Sequence, residues 1–175
     1  VRLEKKALQA VREYADKNGA QVMIEKEITI PEVNVRGFFD LLLVENGAMI
    51  DIKTCNAWKW RGLFGRNPDP NPAINYFLQL GTYAWWYEEE SGNKIKKLAL
   101  LYYNKDNSRM REKRIPISYI DKAKEYWYDV KQRFKRGNPP IQLGIAPVYK
   151  WECNIKYCNF YEVCGGGLKE KGTDL

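Results

Sequence analysis

The sequence predicts an α/β protein in which helices pack against a central mixed β-sheet. Three observations support this fold class. Segments with helical periodicity and segments with strand periodicity follow one another along the chain. Glycine, asparagine and proline mark the breaks between these segments. The length of 175 residues and the hydrophobic fraction of 45% suit one domain with its own core.

The first third of the chain predicts one helix followed by three strands. Leu8 and Val11 belong to an apolar set with helical spacing, and Gly19 follows as a stop signal. The next segments are rich in isoleucine and valine, which favour strands, and Asn46-Gly47 is typical of a tight hairpin turn. The predicted elements are a helix at 3–17 and strands at 21–30, 35–44 and 48–54.

The rest of the chain predicts a long loop and then a helix, two strands and a helix. Three prolines between residues 67 and 72 exclude regular structure there, and we expect a loop over 55–72. A loop of this length inside a domain is often functional. The predicted elements that follow are a helix at 73–90, strands at 97–103 and 113–118, a helix at 121–136 and an irregular tail.

Histidine is absent from the chain, and its absence excludes several kinds of chemistry. A Ser-His-Asp triad, a Cys-His pair and histidine-ligated zinc are ruled out. Acid–base or metal chemistry would have to come from carboxylates, lysines, tyrosines or cysteines. The formal net charge of +7 favours a polyanionic partner such as nucleic acid.

The chain carries no signal for a membrane or for export. No apolar run approaches the roughly 18 residues that a bilayer-spanning helix requires. The first residues lack the pattern of a signal peptide. We therefore expect an intracellular, cytoplasmic protein without a membrane partner, in which the four cysteines are ligands or free thiols.

Two neighbouring predicted strands carry the residues that point to chemistry. Because side chains alternate along a strand, Asp51 and Lys53 project from one face, and the hairpin brings Asp40 near Asp51. A carboxylate in an apolar strand is costly to bury unless it is paired or bound to a metal. Hard oxygen ligands suit Mg²⁺ or Mn²⁺, and a lysine beside them can orient water or stabilise negative charge. The alternative is an Asp–Lys pair on a solvated strand face.

Three short motifs in a fixed order resemble a known family. The third lies on the predicted helix at 73–90, where its two residues are one turn apart and share a face. The motifs are Gly37-x-x-Asp40, Asp51-x-Lys53 and Gln79-x-x-x-Tyr83. With these motifs the chain resembles, over roughly residues 3–164, the PD-(D/E)XK nuclease superfamily, in particular its RecB-like exonuclease branch, which includes CRISPR-associated and phage nucleases.

The resemblance implies a restriction-endonuclease-like core and metal-dependent hydrolysis of DNA, as an exonuclease in recombination, repair or viral or CRISPR-type processing. It implies that Asp40 and Asp51 bind Mg²⁺ or Mn²⁺ and that Lys53 assists the attacking water. Gln79 and Tyr83 would position the site and the strand. The implied partner is DNA, as single strands or duplex ends, and a homo-oligomer or a larger recombination complex stays open.

In this family the first helix completes the metal site with an acidic residue or a histidine. Since the chain has no histidine, the resemblance assigns this role to a glutamate. Glu4 shares the apolar face of the predicted helix, whereas Glu13 shares its polar face, so Glu4 is the preferred candidate. Glu25 and Glu27 are weaker candidates, which we expect to be solvated or to hold a basic neighbour.

Three cysteines lie in the predicted tail, residues 141–175, which we expect to pack on the nuclease core of residues 1–140. Similar RecB-like enzymes bind a 4Fe–4S cluster through three such cysteines and a fourth near the amino terminus. Here the first gap is four residues instead of two, and no cysteine precedes the first helix. An iron–sulfur cluster, a zinc site and ordinary thiols all stay open. The candidate ligands are Cys55, Cys153, Cys158 and Cys164.

Basic and aromatic residues form the candidate DNA contacts. Basic clusters neutralise phosphates without reading sequence, and aromatic side chains stack on the bases of single strands. The alternatives are a solvated basic face and loop packing over the core. A further basic cluster ends the last helix, at 131–136. The candidates are Trp58, Trp60, Arg61 and Arg66 in the predicted loop, and Arg109, Arg111, Lys113 and Arg114 in the hairpin.

Two other functions are compatible with these residues. The first is a non-catalytic scaffold that binds nucleic acid or a metal cluster and keeps the nuclease fold. The second is a restriction-type endonuclease, against which the Gln79–Tyr83 motif argues because it belongs to the RecB-like branch.

Overall fold

The structure, a computed structural model, describes residues 19–68 and 74–136, together with positions 5, 8, 9, 11–13, 16, 17 and 156. The chain divides into two compact units, Val1–Asp129 and Val130–Leu175. The first unit contains the sheet. Of the second unit only 130–136 and Lys156 are described, so the predicted tail and its boundary at residue 140 stay predictions.

Five strands form one mixed sheet, which has helices packed against it. The α/β prediction is confirmed. In the described part of the chain, the backbone positions between 5 and 17 are helical, and Leu8 there is buried. The strands are β1 (Val22–Ile30), β2 (Val35–Leu43), β3 (Ala48–Cys55), β4 (Lys97–Asn104) and β5 (Met110–Ile115), and the helices that follow β3 are α1 (Ala57–Phe64), α2 (Ile74–Ser91) and α3 (Tyr119–Lys135).

The strands lie in the sheet in the order in which they occur in the chain. β1, β2 and β3 are antiparallel neighbours, and the Asn46-Gly47 turn joins the last two, with Gly47 at a φ of 56°. β3 and β4 are parallel, and the crossover between them contains α1 and α2. β4 and β5 are again antiparallel. Because a parallel pair needs a long connection, the site-bearing strand β3 is followed directly by two helices.

The prediction of a loop over 55–72 is wrong for residues 57–64, which form α1. The helix is capped from two sides. Asn56 Oδ1 accepts a hydrogen bond from the backbone N–H of Lys59 at 2.8 Å. Asp106, which lies in the turn between β4 and β5, accepts one from the backbone N–H of Ala57 at 2.6 Å. Two of the unsatisfied donors at the start of a helix are thereby paired, and one of the partners is 49 residues away.

The inner face of α1 is apolar, although the segment is short. Trp60, Leu63 and Phe64 recur at helical spacing and pack against the buried core. The rings of Trp60 and Phe64 are 4.8 Å apart, and Phe64 meets the buried ring of Tyr102 at 5.6 Å. This packing stabilises the helix, because a helix of eight residues is not stable by itself.

The helix α2 packs against the sheet on one side and against α3 on the other. Its Tyr83 and Trp86 approach Phe39 of β2, with ring centroids 6.5 and 6.2 Å away. On the opposite side, Trp127 of α3 donates a hydrogen bond to Thr82 at 2.8 Å. α2 therefore holds a fixed distance between the sheet and α3. In the part of the chain that the structure describes, no helix has the length and apolar character for crossing a bilayer.

For the elements from β1 onward, the other predicted boundaries agree with the structure to within two residues, except those of β5, whereas the start of the predicted helix at 3–17 lies outside the described residues. This strand was expected at 113–118 but runs from Met110 to Ile115. The four residues after Met110 are charged, and the strand pairs through its backbone with the apolar strand β4, from Tyr103↔Met110 onward. Pro116 follows Ile115 and cannot donate to the ladder, which explains the early end.

The cap of α1 gives a stability prediction. We expect Asn56→Ala to lower the free energy of unfolding by about 1 kcal/mol, because the N–H of Lys59 loses its partner, whereas Asn56→Asp retains the cap. The measurement is chemical denaturation of the purified protein.

The matched control for this prediction is Asn93→Ala. Asn93 lies in the loop after α2 and bonds to Ser91 through its backbone N–H. Equal losses in Asn56→Ala and Asn93→Ala would contradict the capping role.

Candidate active site

The backbone pairing of the sheet is interrupted at Asp40, in the middle of β2. The pairing of β1 with β2 skips only the position at which Asp40 would face Glu25, and Glu25 there has a φ of 50°. On its other side, the pairing of β2 with β3 stops at Leu41↔Ile50, one residue before Asp40 would face Asp51. A positive φ is uncommon for a residue other than glycine. Both ladders are thus interrupted where the first predicted carboxylate lies.

The Asp40 side chain bonds to the neighbouring strand where the ladder has stopped. Its Oδ2 accepts a hydrogen bond from the backbone N–H of Ile52 at 2.6 Å. Ile52 is the residue between Asp51 and Lys53, so this bond fixes Asp40 against the strand segment that carries the second motif. The structure brings the two motifs together as the sequence predicts for their strands.

Asp51 is a buried carboxylate held by a lysine of the same strand. Its side chain is 4% exposed, and its Oδ2 is 2.7 Å from the Nζ of Lys53, whose side chain is 19% exposed. The two side chains lie on one face of β3, because they are two residues apart. An ionised carboxylate at this depth needs such a partner, since burying it unpaired would cost several kcal/mol.

The third motif extends this ion pair into a chain of hydrogen bonds. Lys53 donates to Gln79 Oε1 at 3.0 Å, and Gln79 Nε2 donates to the hydroxyl oxygen of Tyr83 at 2.7 Å. The amide of Gln79 is oriented by these two bonds, since its oxygen must accept from the ammonium group and its nitrogen must donate. The phenol of Tyr83 accepts here, which leaves its hydroxyl hydrogen to be donated elsewhere.

The Tyr83 hydroxyl lies close enough to both carboxylates to be affected by their charges. Burial is the main reason why the pKa of Tyr83 is raised above its usual value, and the negative charges of Asp51 and Asp40 raise it further. The hydrogen bond from Gln79 and the charge of Lys53 lower the pKa of Tyr83, but by less in total. The phenol therefore stays protonated at neutral pH and acts as a neutral hydrogen-bonding group.

Gly37 allows Tyr83 to reach β2. A β-carbon built at Gly37 would lie 3.2 Å from Cε1 and 3.5 Å from the hydroxyl oxygen of Tyr83. The first motif therefore has a glycine at position 37 because a larger side chain there would crowd the ring of Tyr83. It links the first motif to the third through a packing contact.

Tyr76 is a site residue that the sequence reasoning missed. The Nζ of Lys53 lies 4.6 Å from the centroid of its ring, within the range of a cation–π contact. Tyr76 precedes Gln79 by three residues on α2, so the helical spacing 76, 79, 83 places all three on the face that meets Lys53. This helical spacing is the sequence signal that could have identified Tyr76 as a site residue.

Asp40 and Asp51 are the described residues that could hold a hard divalent cation. Their carboxylate oxygens, on adjacent strands, are the donor type that Mg²⁺ and Mn²⁺ prefer. Among the described residues, no group of three histidine, cysteine, aspartate or glutamate side chains forms a metal site. Glu4, the predicted third carboxylate, lies outside the described residues. Mg²⁺ usually keeps several water ligands and is bound by only one or two carboxylates, so a site with two protein carboxylates is compatible with this cation.

The weaker glutamate candidates have arginine partners. Glu25 is 3.9 Å from Arg12, and Glu27 is 2.6 Å from Arg36. All four side chains are at least 43% exposed. Glu13 accepts a hydrogen bond from Gln9 on the exposed side of the first helical segment. The arginine contacts match the expectation that Glu25 and Glu27 are solvated or hold a basic neighbour.

The described cysteine is a buried thiol at the end of β3. Cys55 is 3% exposed, and burial is the main reason why its pKa is raised, so the thiol is protonated at neutral pH. Cys153, Cys158 and Cys164 lie outside the described residues. The iron–sulfur or zinc site therefore stays a prediction.

The candidate DNA contacts differ in their exposure. Trp58 is 77% exposed on α1, whereas Trp60 packs inward against the core. Arg61 and Arg66 are exposed, but on a helix and the turn after it instead of within one long loop. In the hairpin, the guanidinium of Arg111 lies 4.9 Å from the ring of Phe64. Arg109 and Arg114 are exposed, and Lys113 is half-buried.

Comparison with protein families gives one match that covers nearly the whole chain. The family model of the PD-(D/E)XK nuclease superfamily matches residues 1–165. The match agrees with the superfamily that the three motifs predict. No curated protein matches the chain in sequence.

Solved structures resemble the chain at low sequence identity. A candidate exonuclease from Eubacterium rectale has a TM-score of 0.49 at 15% identity, over 66% of this chain and 46% of that protein. The protein SSO0001 has a TM-score of 0.44 at 19% identity, over 93% and 68%. An alkaline exonuclease from Laribacter hongkongensis has a TM-score of 0.41 at 18% identity, over 74% and 68%. The chain thus spans less than half of the Eubacterium rectale protein.

The contact between Gly37 and Tyr83 can be tested by stability alone. We expect Gly37→Ala to lower the free energy of unfolding by about 1–3 kcal/mol, because the new methyl group must displace the Tyr83 ring. In a Tyr83→Leu background, where the ring is absent, we expect the same substitution to cost much less. The measurement is a double-mutant cycle by chemical denaturation.

The matched control for this prediction is Gly62→Ala in α1, where a β-carbon would meet nothing within 4 Å. It should be neutral or stabilising, because alanine is the better helix former. An equal cost of Gly37→Ala in both backgrounds would show that Tyr83 is not the reason for the glycine.

Proposed function

Because the chain belongs to the PD-(D/E)XK nuclease superfamily, we propose that it hydrolyses phosphodiester bonds of DNA with Mg²⁺ or Mn²⁺ and acts as an exonuclease. The observation that carries this proposal is the buried Asp51 carboxylate. It lies beside the strand break at Asp40 and is held by a lysine that α2 positions. DNA recombination, repair and the processing of viral or CRISPR-type DNA are the processes that such an activity would serve.

Asp40 and Asp51 would hold the cation. When bound, a divalent cation supplies polarisation of the phosphoryl group and a lowered pKa of its water ligands. The two aspartates come from strands that are fixed to each other by the Asp40–Ile52 hydrogen bond, so their separation is set by the sheet. Site residues on rigid elements hold their geometry better than residues on loops.

Lys53 is the residue that would act on the reacting phosphate or the attacking water. Its ammonium group is positioned by Asp51, by the Gln79 amide and by the Tyr76 ring. A fixed positive charge in a partly buried site stabilises the negative charge that develops in the transition state. Gln79 and Tyr83 act through Lys53 and are positioning residues.

The exonuclease assignment rests on the Gln79–Tyr83 pair. This motif is typical of the RecB-like branch, and in this chain the pair is joined to Lys53 by hydrogen bonds instead of lying on a free helix face. An exonuclease needs a DNA end, so its activity on linear and on closed circular DNA differs.

The activity test compares cleavage by the parent with cleavage by Asp51→Asn. With Mg²⁺ or Mn²⁺ we expect the parent to degrade linear single- or double-stranded DNA and to leave closed circular DNA intact. Asp51→Asn should lose at least about a hundredfold in rate, because it removes a charge that holds both Lys53 and the cation.

Asp16→Asn is the matched control, since Asp16 is exposed and lies on the first helical segment. It should cleave DNA as the parent does. DNA that stays intact with the parent and either cation would contradict the proposal. Opening of closed circles would contradict the exonuclease assignment and favour the endonuclease.

Cation binding can be tested without activity. We expect Mg²⁺ or Mn²⁺ to raise the melting temperature of the parent, because a cation that binds only the folded state adds about 2.7 kcal/mol at a hundred times its Kd. The double variant Asp40→Asn/Asp51→Asn should show no such rise, while Asp16→Asn should match the parent. The measurement is thermal denaturation over a series of cation concentrations, and an equal rise in the double variant would place the cation elsewhere.

A further inference from the structure

The first turn of α1 and the first turn of α2 meet next to Lys53. We propose that Trp58, Lys59 and Tyr76, here named the flanking subsite, bind a nucleotide of single-stranded DNA beside the phosphodiester that is cleaved. This inference rests on the proposed nuclease function, and it adds the form of the substrate and the residues that select it.

Two lysines share the ring of Tyr76. The Nζ of Lys53 is 4.6 Å and the Nζ of Lys59 is 5.1 Å from the ring centroid. The negative face of an aromatic ring attracts cations, and both ammonium groups contact the ring of Tyr76. A negative group bound beside this ring would interact favourably with both charges.

Among the described residues, Lys59 carries a positive charge that has no ion-pair partner. Lys53 is paired with Asp51, whereas Lys59 forms no ion pair with any other residue that the structure describes. Its contact with Tyr76 places this charge beside the proposed cleavage site. A backbone phosphate is the anion that a nuclease brings there, so we infer that Lys59 binds the phosphate adjacent to the reacting one.

Trp58, the residue before Lys59 on α1, supplies an exposed aromatic ring. It is 77% exposed, while Trp60 and Phe64 of the same helix pack inward. An indole exposed to this degree contributes little to folding but can stack on a base, whose π-face is available in every nucleotide. In a duplex the base faces are already covered by their neighbours, so stacking on Trp58 selects an unpaired strand.

The subsite is held rigidly, as a specific binding site requires. α1 begins two residues after β3, and its start is capped by Asn56 and Asp106. Tyr76 belongs to α2, whose next turn carries Gln79. The helix backbone at Trp58 is therefore fixed relative to β3 by the capped helix start, and the ammonium group of Lys59 is held by the ring that it shares with Lys53.

The experiment measures binding separately from cleavage. Fluorescence anisotropy of a short labelled oligothymidylate, recorded with a chelator over a range of salt concentrations, gives the Kd and its salt dependence. We expect Trp58→Ala to raise the Kd roughly five- to hundredfold without changing the salt slope, because it removes stacking and no charge. Trp58→Phe, which keeps a ring, should retain most of the affinity.

Lys59→Met should act differently from Trp58→Ala. We expect the slope of log Kd against log salt to fall by about 0.7, the value for one phosphate contact on a single strand. Tyr128→Ala is the control, because it removes an exposed ring on α3, where Tyr128 faces Trp85 instead of Lys53. It should bind the oligonucleotide as the parent does, and Trp58→Ala should bind a blunt duplex as well as the parent does.

The outcomes separate this inference from the proposed function. A parent that cleaves DNA, combined with a Trp58→Ala variant of unchanged affinity for single strands, would overturn the flanking subsite and leave the nuclease proposal intact. Binding of single strands through Trp58 and Lys59, without cleavage in either cation, would support the subsite and contradict the nuclease proposal. A parent that does not bind the oligonucleotide, or an equal loss of duplex affinity in Trp58→Ala, would also overturn the inference.

Discussion

The burial of the Asp51 carboxylate is the constraint on which the rest of the candidate site depends. A carboxylate in the interior of a sheet is tolerated only with a close positive partner, and the nearest side chain on the same face of β3 is Lys53. A half-buried lysine in turn needs further hydrogen-bond acceptors, and Gln79 supplies one. The motif residues therefore form a chain of contacts. Lys53 pairs with the buried Asp51 carboxylate, and Gln79 accepts a hydrogen bond from Lys53.

The interruption of the sheet at Asp40 serves the same requirement. If β2 were regular, its backbone would continue to pair with β3 beyond Leu41. Asp40 and Asp51 would then be opposite each other in an uninterrupted ladder. The observed arrangement uses the side chain of Asp40 to satisfy Ile52 instead. On the other edge of β2, Glu25 adopts a positive φ and leaves the ladder with β1 at the same level. The local strain at Glu25 is therefore consistent with a site that needs an opening in the sheet.

Much of this could be predicted from the sequence, because it depends on local periodicity. The alternation of side chains in β3 places Asp51 and Lys53 together, the Asn46-Gly47 turn sets the register of the β2–β3 hairpin, and the three motifs predict the superfamily that the family match confirms. These features are fixed by residues that are close in sequence.

The features that were missed depend on residues that are far apart in sequence. The helix α1 was expected to be a loop because one of its caps comes from Asp106, and its apolar face becomes visible only when Phe64 is placed against Tyr102. Tyr76 was missed because an aromatic residue at the start of an amphipathic helix is most often part of the core. Only the approach of two lysines to its ring distinguishes it. Patterns within a short stretch of sequence do not predict contacts between residues that are distant in the chain.

Long-range contacts also connect α1 to the basic hairpin of β4 and β5, the two regions that carry the candidate DNA-binding residues. Asp106 lies in the turn between β4 and β5 and holds the start of α1, while Arg111 of β5 lies over Phe64 near the end of that helix. The basic hairpin and α1 are therefore fixed to each other at both ends of the helix. Since α1 also follows directly from β3, a strand of nucleic acid that contacts the hairpin and α1 would be held at a set distance from Lys53. The position of the substrate would then be determined by the sheet that holds the carboxylates, which is what precise cleavage requires.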